Sequence, residues 1–340
     1  MFQFLPWLLF YGFVGVCLWA DLKIFHRKPH EVSLREASLL SVFWIGLSLA
    51  FNVGVFFTFG SVAAVEFFTA YLIEKALSAD NLFVFLTIFT YFRVPHEYRH
   101  RVLFWGVFGA IVMRSGILIA GTTLIAKFHW LIYVLAAILL LTTIRMALSK
   151  DDDEADLSRN WVLRFFRRFV PMTQGYEGMK FLVLRAGHVL ATPLLLVLVI
   201  VETTDLIFAT DSIPAVLAIT QRDFIANSSN ICAILGLRSL YFVVQGMIGK
   251  FSYLKPGLIV ILGGISVKMF VPLVTGVFLG HEYEIPTVFS LAFIGIVLLI
   301  SILASIYKSW REEKASSLQD SEVAQEPVVS SQVSDADVRR

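Results

Sequence analysis

An all-α, polytopic membrane protein is the fold class that this 340-residue sequence predicts. Three observations carry it. Hydrophobic residues make up 57% of the chain and charged residues 16%, where a soluble domain has roughly half and a quarter. Apolar runs approaching the ~20 residues that a spanning helix needs recur from end to end. The Lys and Arg residues between those runs fall almost entirely on one side.

Nine runs meet the length standard: about 3–21, 37–59, 62–92, 102–126, 128–148, 189–220, 227–249, 255–273 and 286–307. The first, FLPWLLFYGFVGVCLWA, has neither a basic leader nor a small-residue cleavage site and is expected to stay as a helix. Lys23, Arg27, Lys28 and Arg35 follow it, and Arg93, Arg99 and Arg101 follow the third run. More bases fill the 149–188 connection, the turn at Lys250 and Lys255, and the segment after 307, whereas the opposite connections hold only Lys127 and Arg222. This partition predicts an inner-membrane protein with its N-terminus outside and its C-terminus in the cytoplasm. Within the 149–188 connection, NWVLRFFRRFVP reads either as a basic amphipathic helix on the inner membrane face or as a solvated linker with one short helix. A transmembrane domain over 1–310 is therefore expected, followed by a polar, Ser-rich tail at 311–340 that reads as disordered.

The second landmark is a duplication. YLIEKALSADNLFVF contains Glu74, Asp80 and Asn81; VIVETTDLIFATDSIPA contains Glu202, Asp205, Asp211 and Ser212. Sliding one onto the other places Glu74-x5-Asp80-Asn81 on Asp205-x5-Asp211-Ser212. Downstream, GAIVMRSGILIAG matches CAILGLRSLYFVVQG, so that Arg114-Ser115 falls on Arg238-Ser239. YVLAAILLLTTIRM then matches PGLIVILGGISVKM, with Arg145 on Lys268. Three helices over about 62–148 thus correspond to three over about 190–272. An odd helix count per copy makes the second copy enter from the opposite face, the inverted-repeat plan of many secondary transporters, whose sites lie near the midplane.

Carboxylates inside hydrocarbon are expensive and usually line an ion or proton path. Glu202 and Asp205 share a helix face. Asp211, six residues on from Asp205, points elsewhere on an unbroken helix, but Pro214 withholds a donor from the carbonyl of Thr210. A break there is expected to gather Asp205, Asp211 and that carbonyl into one cavity. Carboxylate, amide, hydroxyl and carbonyl oxygens without thiol or imidazole form a hard site suited to Mg²⁺, Ca²⁺ or Mn²⁺. The candidate metal-contacting residues are Glu74, Asp80, Asn81, Glu202, Asp205, Asp211 and Ser212. Glu66, Arg114, Arg238 and Lys268 belong to the path or compensate charge. The competing reading has the acids merely pairing with Lys75, Arg114, Arg238 and Lys268 to hold helices together, and Asn81 and Ser212 capping turns. Cys17 and Cys232 lie in apolar runs without CxxC spacing and read as core residues.

The strings EKALSADN (74–81) and ETTDLIFATDSIPA (202–215) resemble the TerC family of integral membrane proteins, in its Alx-like branch, and the resemblance extends over roughly residues 1–310. It implies a Mn²⁺ exporter whose acidic motif residues are Glu74, Asp80, Glu202, Asp205 and Asp211; the branch has also carried a redox-modulator label. The expected function is a secondary transporter and not an enzyme: divalent-cation efflux by alternating access, with no permanently bound cofactor and no nucleic-acid partner. Export of a divalent cation runs against the membrane potential, ~2.3 kcal/mol per charge per 100 mV. The chain contains no GxxxxGK[ST] phosphate loop, so proton exchange is the expected drive. The rivals are export of another solute, such as a cationic amino acid or a metalloid oxyanion, and a membrane scaffold or redox-homeostasis role.

Overall fold

The computed structural model describes residues 4–23, 33–148, 166, 168, 170–185, 187–246, 253–281 and 283–323. In chain order the helices are α1 (Leu5–Lys23), α2 (Leu34–Phe59), α3 (Ser61–Tyr91), α4 (His96–Lys127) and α5 (Leu131–Leu148). After a hairpin, β1 (Leu182–Arg185) and β2 (His188–Ala191), come α6 (Pro193–Leu217), α7 (Asp223–Ile234), α8 (Leu237–Gly246), α9 (Leu254–Leu279) and α10 (Thr287–Val323).

Local chemistry sets several of these boundaries. Ser33 caps α2 by accepting a hydrogen bond from the Glu36 N–H at 3.2 Å, the Ser-x-x-Glu start signal. A single residue, Gly60 at φ +90°, separates α2 from α3. Proline at its first position starts α6, and the Thr192 hydroxyl before it donates to the Lys180 carbonyl at 2.7 Å. The hairpin pairs Leu182 with Ala191 and Arg185 with His188, turning through Gly187 at φ +80°; the sequence reading had only a linker here.

Seven helices among the described residues are long and apolar enough to cross a membrane: α1, α2, α4, α5, α6, α9 and α10. Two of the nine expected spans fall outside this group for two physical reasons. The 31-residue α3 has the length, but Glu66, Glu74, Lys75 and Asp80 punctuate it. The 227–249 run is not one helix: it divides between α7 and α8 at Leu235–Gly236. Pro214, by contrast, breaks nothing, because α6 runs through it to Leu217.

Packing places α3 and α6 at the centre. Helix α3 lies against α2, α6, α7, α8 and α10, while α6 lies against α3, α4 and α5; α5 in turn packs on α9. Two apolar clusters result. One joins α1, α2, α7 and α8 to parts of α3, α4 and α6; the other joins α5, α9 and α10 to the remaining parts of the same three helices. At its far end α10 continues to Val323, past the expected end of the transmembrane domain. Most of the predicted amphipathic helix at 160–171, namely residues 160–165, 167 and 169, and the end of the tail at 324–340 lie outside the described residues.

Candidate functional site

The polar centre is built on Arg114, midway along α4. Its Nε donates to Asp205 Oδ2 at 2.9 Å and its Nη2 to Asp205 Oδ1 at 2.7 Å. This parallel pair is the bidentate geometry that a guanidinium and a carboxylate favour. Nη1 donates to Glu74 Oε1 and, at 3.2 Å, to Ser212 Oγ. One guanidinium from α4 thereby ties α3 to α6. Glu74, Arg114 and Asp205 are 0%, 1% and 5% exposed, and Ser212 is equally buried. The second Glu74 oxygen, Oε2, has no hydrogen-bond partner although it is fully buried.

Helix geometry explains which duplicated residues meet. A seven-residue step nearly restores the same face at 3.6 residues per turn, and a six-residue step does not. Ser212 therefore shares the Asp205 face, and Asn81, buried in α3, shares the Glu74 face. Asp211 is turned toward Thr142 and Arg145 of α5 and accepts from the Thr210 hydroxyl at 3.3 Å. Because α6 stays helical through Pro214, the expected gathering of Asp205 and Asp211 does not occur. Asp80 is only partly buried. Glu202, three residues before Asp205, lies against α4: a Cβ built on Gly109 would stand 2.0 Å from its Oε1. Only glycine there admits the carboxylate where it lies.

The remaining candidates lie apart. Glu66 accepts from the Thr220 hydroxyl at 2.8 Å and pairs with Arg222 at 3.3 Å. Lys268 has Glu66 and Glu284 as its charged neighbours. Arg238, the counterpart of Arg114, turns to α1: it is ion-paired with the Asp21 carboxylate, and its Nη2 donates to the Asp21 carbonyl at 3.1 Å. The seven candidate contacts thus do not form one cluster, and among the described residues no three His, Cys, Asp or Glu residues are arranged to hold a metal ion. What the structure brings together is Glu74, Asp205, Ser212 and Arg114.

The fold also assigns work to residues outside the candidate set, among them Lys75, which binds carbonyls instead of the acids that the competing reading gives it. Lys75, next to Glu74, donates through Nζ to the carbonyls of Ala233 at 3.1 Å and Leu235 at 3.5 Å. Those acceptors lie at the end of α7, where a cation complements both the loose carbonyls and the helix dipole. Gly236 holds φ +80°, and a Cβ there would stand 2.6 Å from Trp44. Beside Asp205 is a cavity of about 10 Å³, measured as space for the centre of a water-sized sphere. Asp205 shares its walls with apolar positions, among them Phe85, Gly106, Ala110 and Leu237.

Comparison with known proteins adds to this geometry. A family model described as "Integral membrane protein TerC family" matches residues 59–313. An uncharacterized membrane protein of Myxococcus xanthus is 43% identical over 303 residues, covering 89% of this chain and 92% of its own. Alx of Escherichia coli K12, provisionally described as a membrane-bound redox modulator, is 39% identical over 319 residues, covering 90% and 97%. A Rickettsia bellii membrane protein is 36% identical over 304 residues, covering 89% and 98%. No solved structure matches.

Proposed function

The chain belongs to the TerC family of integral membrane proteins, and from that premise we propose that it exports a divalent cation, Mn²⁺ before others, through the Glu74–Asp205 centre. One observation carries the reading. Two buried carboxylates from two central helices meet at one point inside apolar packing, and one of their oxygens has no partner. Such a centre is costly in a membrane and serves ions where it occurs. Its oxygen donors, with Ser212, suit a hard cation. Cys17 and Cys232 are both buried, which gives the redox description of the relatives little chemistry to act through here.

Alternating access between inverted copies is the transport mode we propose, with the N-terminus outside, the C-terminus cytoplasmic and proton entry as the drive. The packing supports this plan. Helix α3 lies on α7 and α8 as α6 lies on α4, and α5 lies on α9, pairings that a two-fold exchange of the copies maintains.

Efflux of labelled Mn²⁺ from cells should be measured for wild type, Glu74→Gln, Asp205→Asn, Asp80→Asn and Asp211→Asn. Loss of export by at least ~10-fold is expected for the first two. Normal export by both, with the proteins present in the membrane, would reject the acidic centre. Imposing a pH gradient tests the drive, and an unchanged rate would count against proton exchange.

A further inference from the structure

We propose that Arg114 is a tethered counter-cation, taking the transported ion's place between Glu74 and Asp205 so that the unloaded protein can change conformation. This rests on the cation-export reading above and names the residue that governs the return step.

The geometry has the features that such a role demands. The guanidinium uses three of its nitrogens on the two acids and Ser212, the same oxygens that would face a bound cation. Among the described residues no other charged side chain is hydrogen-bonded to either carboxylate. Without Arg114 two buried acids would face each other across apolar packing, an arrangement that strongly resists burial unless a cation is present. Among the described residues Glu74 Oε2 has no hydrogen-bond partner, so Arg114 leaves one ligand position of the centre unused. The adjoining cavity is about large enough for a single water. Its walls are almost wholly apolar, so the ion's place is not there but between the acids, where the guanidinium now lies. Gly106 and Ala110 of α4, two turns and one turn before Arg114, line the cavity beside Asp205.

The consequence separates two modes of transport. Net efflux requires the carrier to return without metal, with Arg114 in the centre. Exchange of Mn²⁺ for Mn²⁺ requires only the loaded form to cross, and the metal then supplies the charge. In the full-length protein reconstituted in vesicles, Arg114→Gln should lose net Mn²⁺ efflux by at least ~10-fold and hold Mn²⁺–Mn²⁺ exchange within about 3-fold. Arg114→Lys should restore much of the net efflux. In thermal unfolding, Mn²⁺ should stabilise Arg114→Gln more than wild type, since metal and guanidinium are alternatives; Arg114→Gln that assembles only when Mn²⁺ is present would support the same conclusion. Equal loss of both modes, or a Gln variant that Mn²⁺ stabilises no more than wild type, would overturn the inference and leave Arg114 a ligand or a clamp. Unimpaired net efflux in Arg114→Gln would also overturn it. Wild type that neither exports nor exchanges Mn²⁺ rejects the exporter reading itself, and this inference with it.

Discussion

Arg114 and Arg238 fall on one another when the sequence at 62–148 is laid on that at 190–272, each followed by serine, yet their surroundings differ completely. Arg114 sits in an unbroken 32-residue helix and grips the acids of both central helices. Arg238 follows a break at Gly236 and is drawn to Asp21 on α1, outside the duplicated region. Their serines diverge as well: Ser115 Oγ is buried without a partner, while Ser239 donates to the Gly236 carbonyl at 2.8 Å. Similar sequence supplies similar side chains, and the helix beside each arginine decides what it binds. Only one arginine reaches the centre, because α7–α8 bends away and α1 offers the other a carboxylate.

The sharpest way to break this comparison is to remove each arginine in turn. Arg114→Ala leaves two buried carboxylates unpaired and should destabilise the protein by about 3–5 kcal/mol, the range for breaking a buried ion pair from one side. Arg238→Ala exposes one acid that is already less enclosed, and about half that loss is expected. Thermal unfolding of the purified protein distinguishes the two; equal losses would mean that Arg238 is as central as Arg114.

The break itself is the next target. A side chain at Gly236 must adopt φ +80° and also meet Trp44 at 2.6 Å. The left-handed conformation alone costs about 1–2 kcal/mol for a non-glycine residue. Gly236→Ala should therefore lower stability by about 2–3 kcal/mol in the same unfolding measurement. Val112 is the corresponding position in α4, exposed and inside a regular helix, and Val112→Ala should change stability by less than ~1 kcal/mol. A mild Gly236→Ala would show that α7 and α8 can join into one helix as α4 does.

How much of this was legible follows from the same residues. The acidic helices, the apolar spans and the matching arginines stand out because charge in an apolar run is conspicuous. The seven-residue steps from Glu74 to Asn81 and from Asp205 to Ser212 also fix shared faces from spacing alone. The placement of the break was not legible. Proline is the stronger breaker in isolation, but Pro214 lies in the last turn of α6, while Gly236 interrupts an apolar run that reads as one helix. Nor can a sequence show that Asp21 captures Arg238 or that Gly109 makes room for Glu202, since both depend on which helices become neighbours.

Lys75 provides a smaller test, since it links the first copy to the break in the second. Lys75→Met keeps the length of the side chain and removes the ammonium from the carbonyls of Ala233 and Leu235. A hydrogen bond to a charged group contributes about 1.5–3 kcal/mol, and the second contact at 3.5 Å is long, so a loss near 1.5 kcal/mol is expected. Faster hydrogen exchange at the end of α7, with little change in α4, would show that the ammonium holds the break together. Unchanged exchange would mean that Trp44 and Gly236 suffice.

The smallest effect should come from Arg222, which tests whether Glu66 belongs with the central acids. Arg222 is 54% exposed and its Nε lies 3.3 Å from Glu66 Oε2, while the Thr220 hydroxyl holds the same oxygen at 2.8 Å. Exposed pairs of this kind contribute about 0–1 kcal/mol. After Arg222→Ala, Glu66 retains Thr220 as a donor and Lys268 as a charged neighbour. Unfolding should shift by less than ~1 kcal/mol, and Mn²⁺ efflux should stay within about 2-fold of wild type. Arg114 has no comparable substitute among the described residues, where its two acids share no other hydrogen-bonded cation. A 10-fold fall in efflux at unchanged stability would place Glu66 and Arg222 on the ion's route and extend the functional acids from the centre to the end of α6.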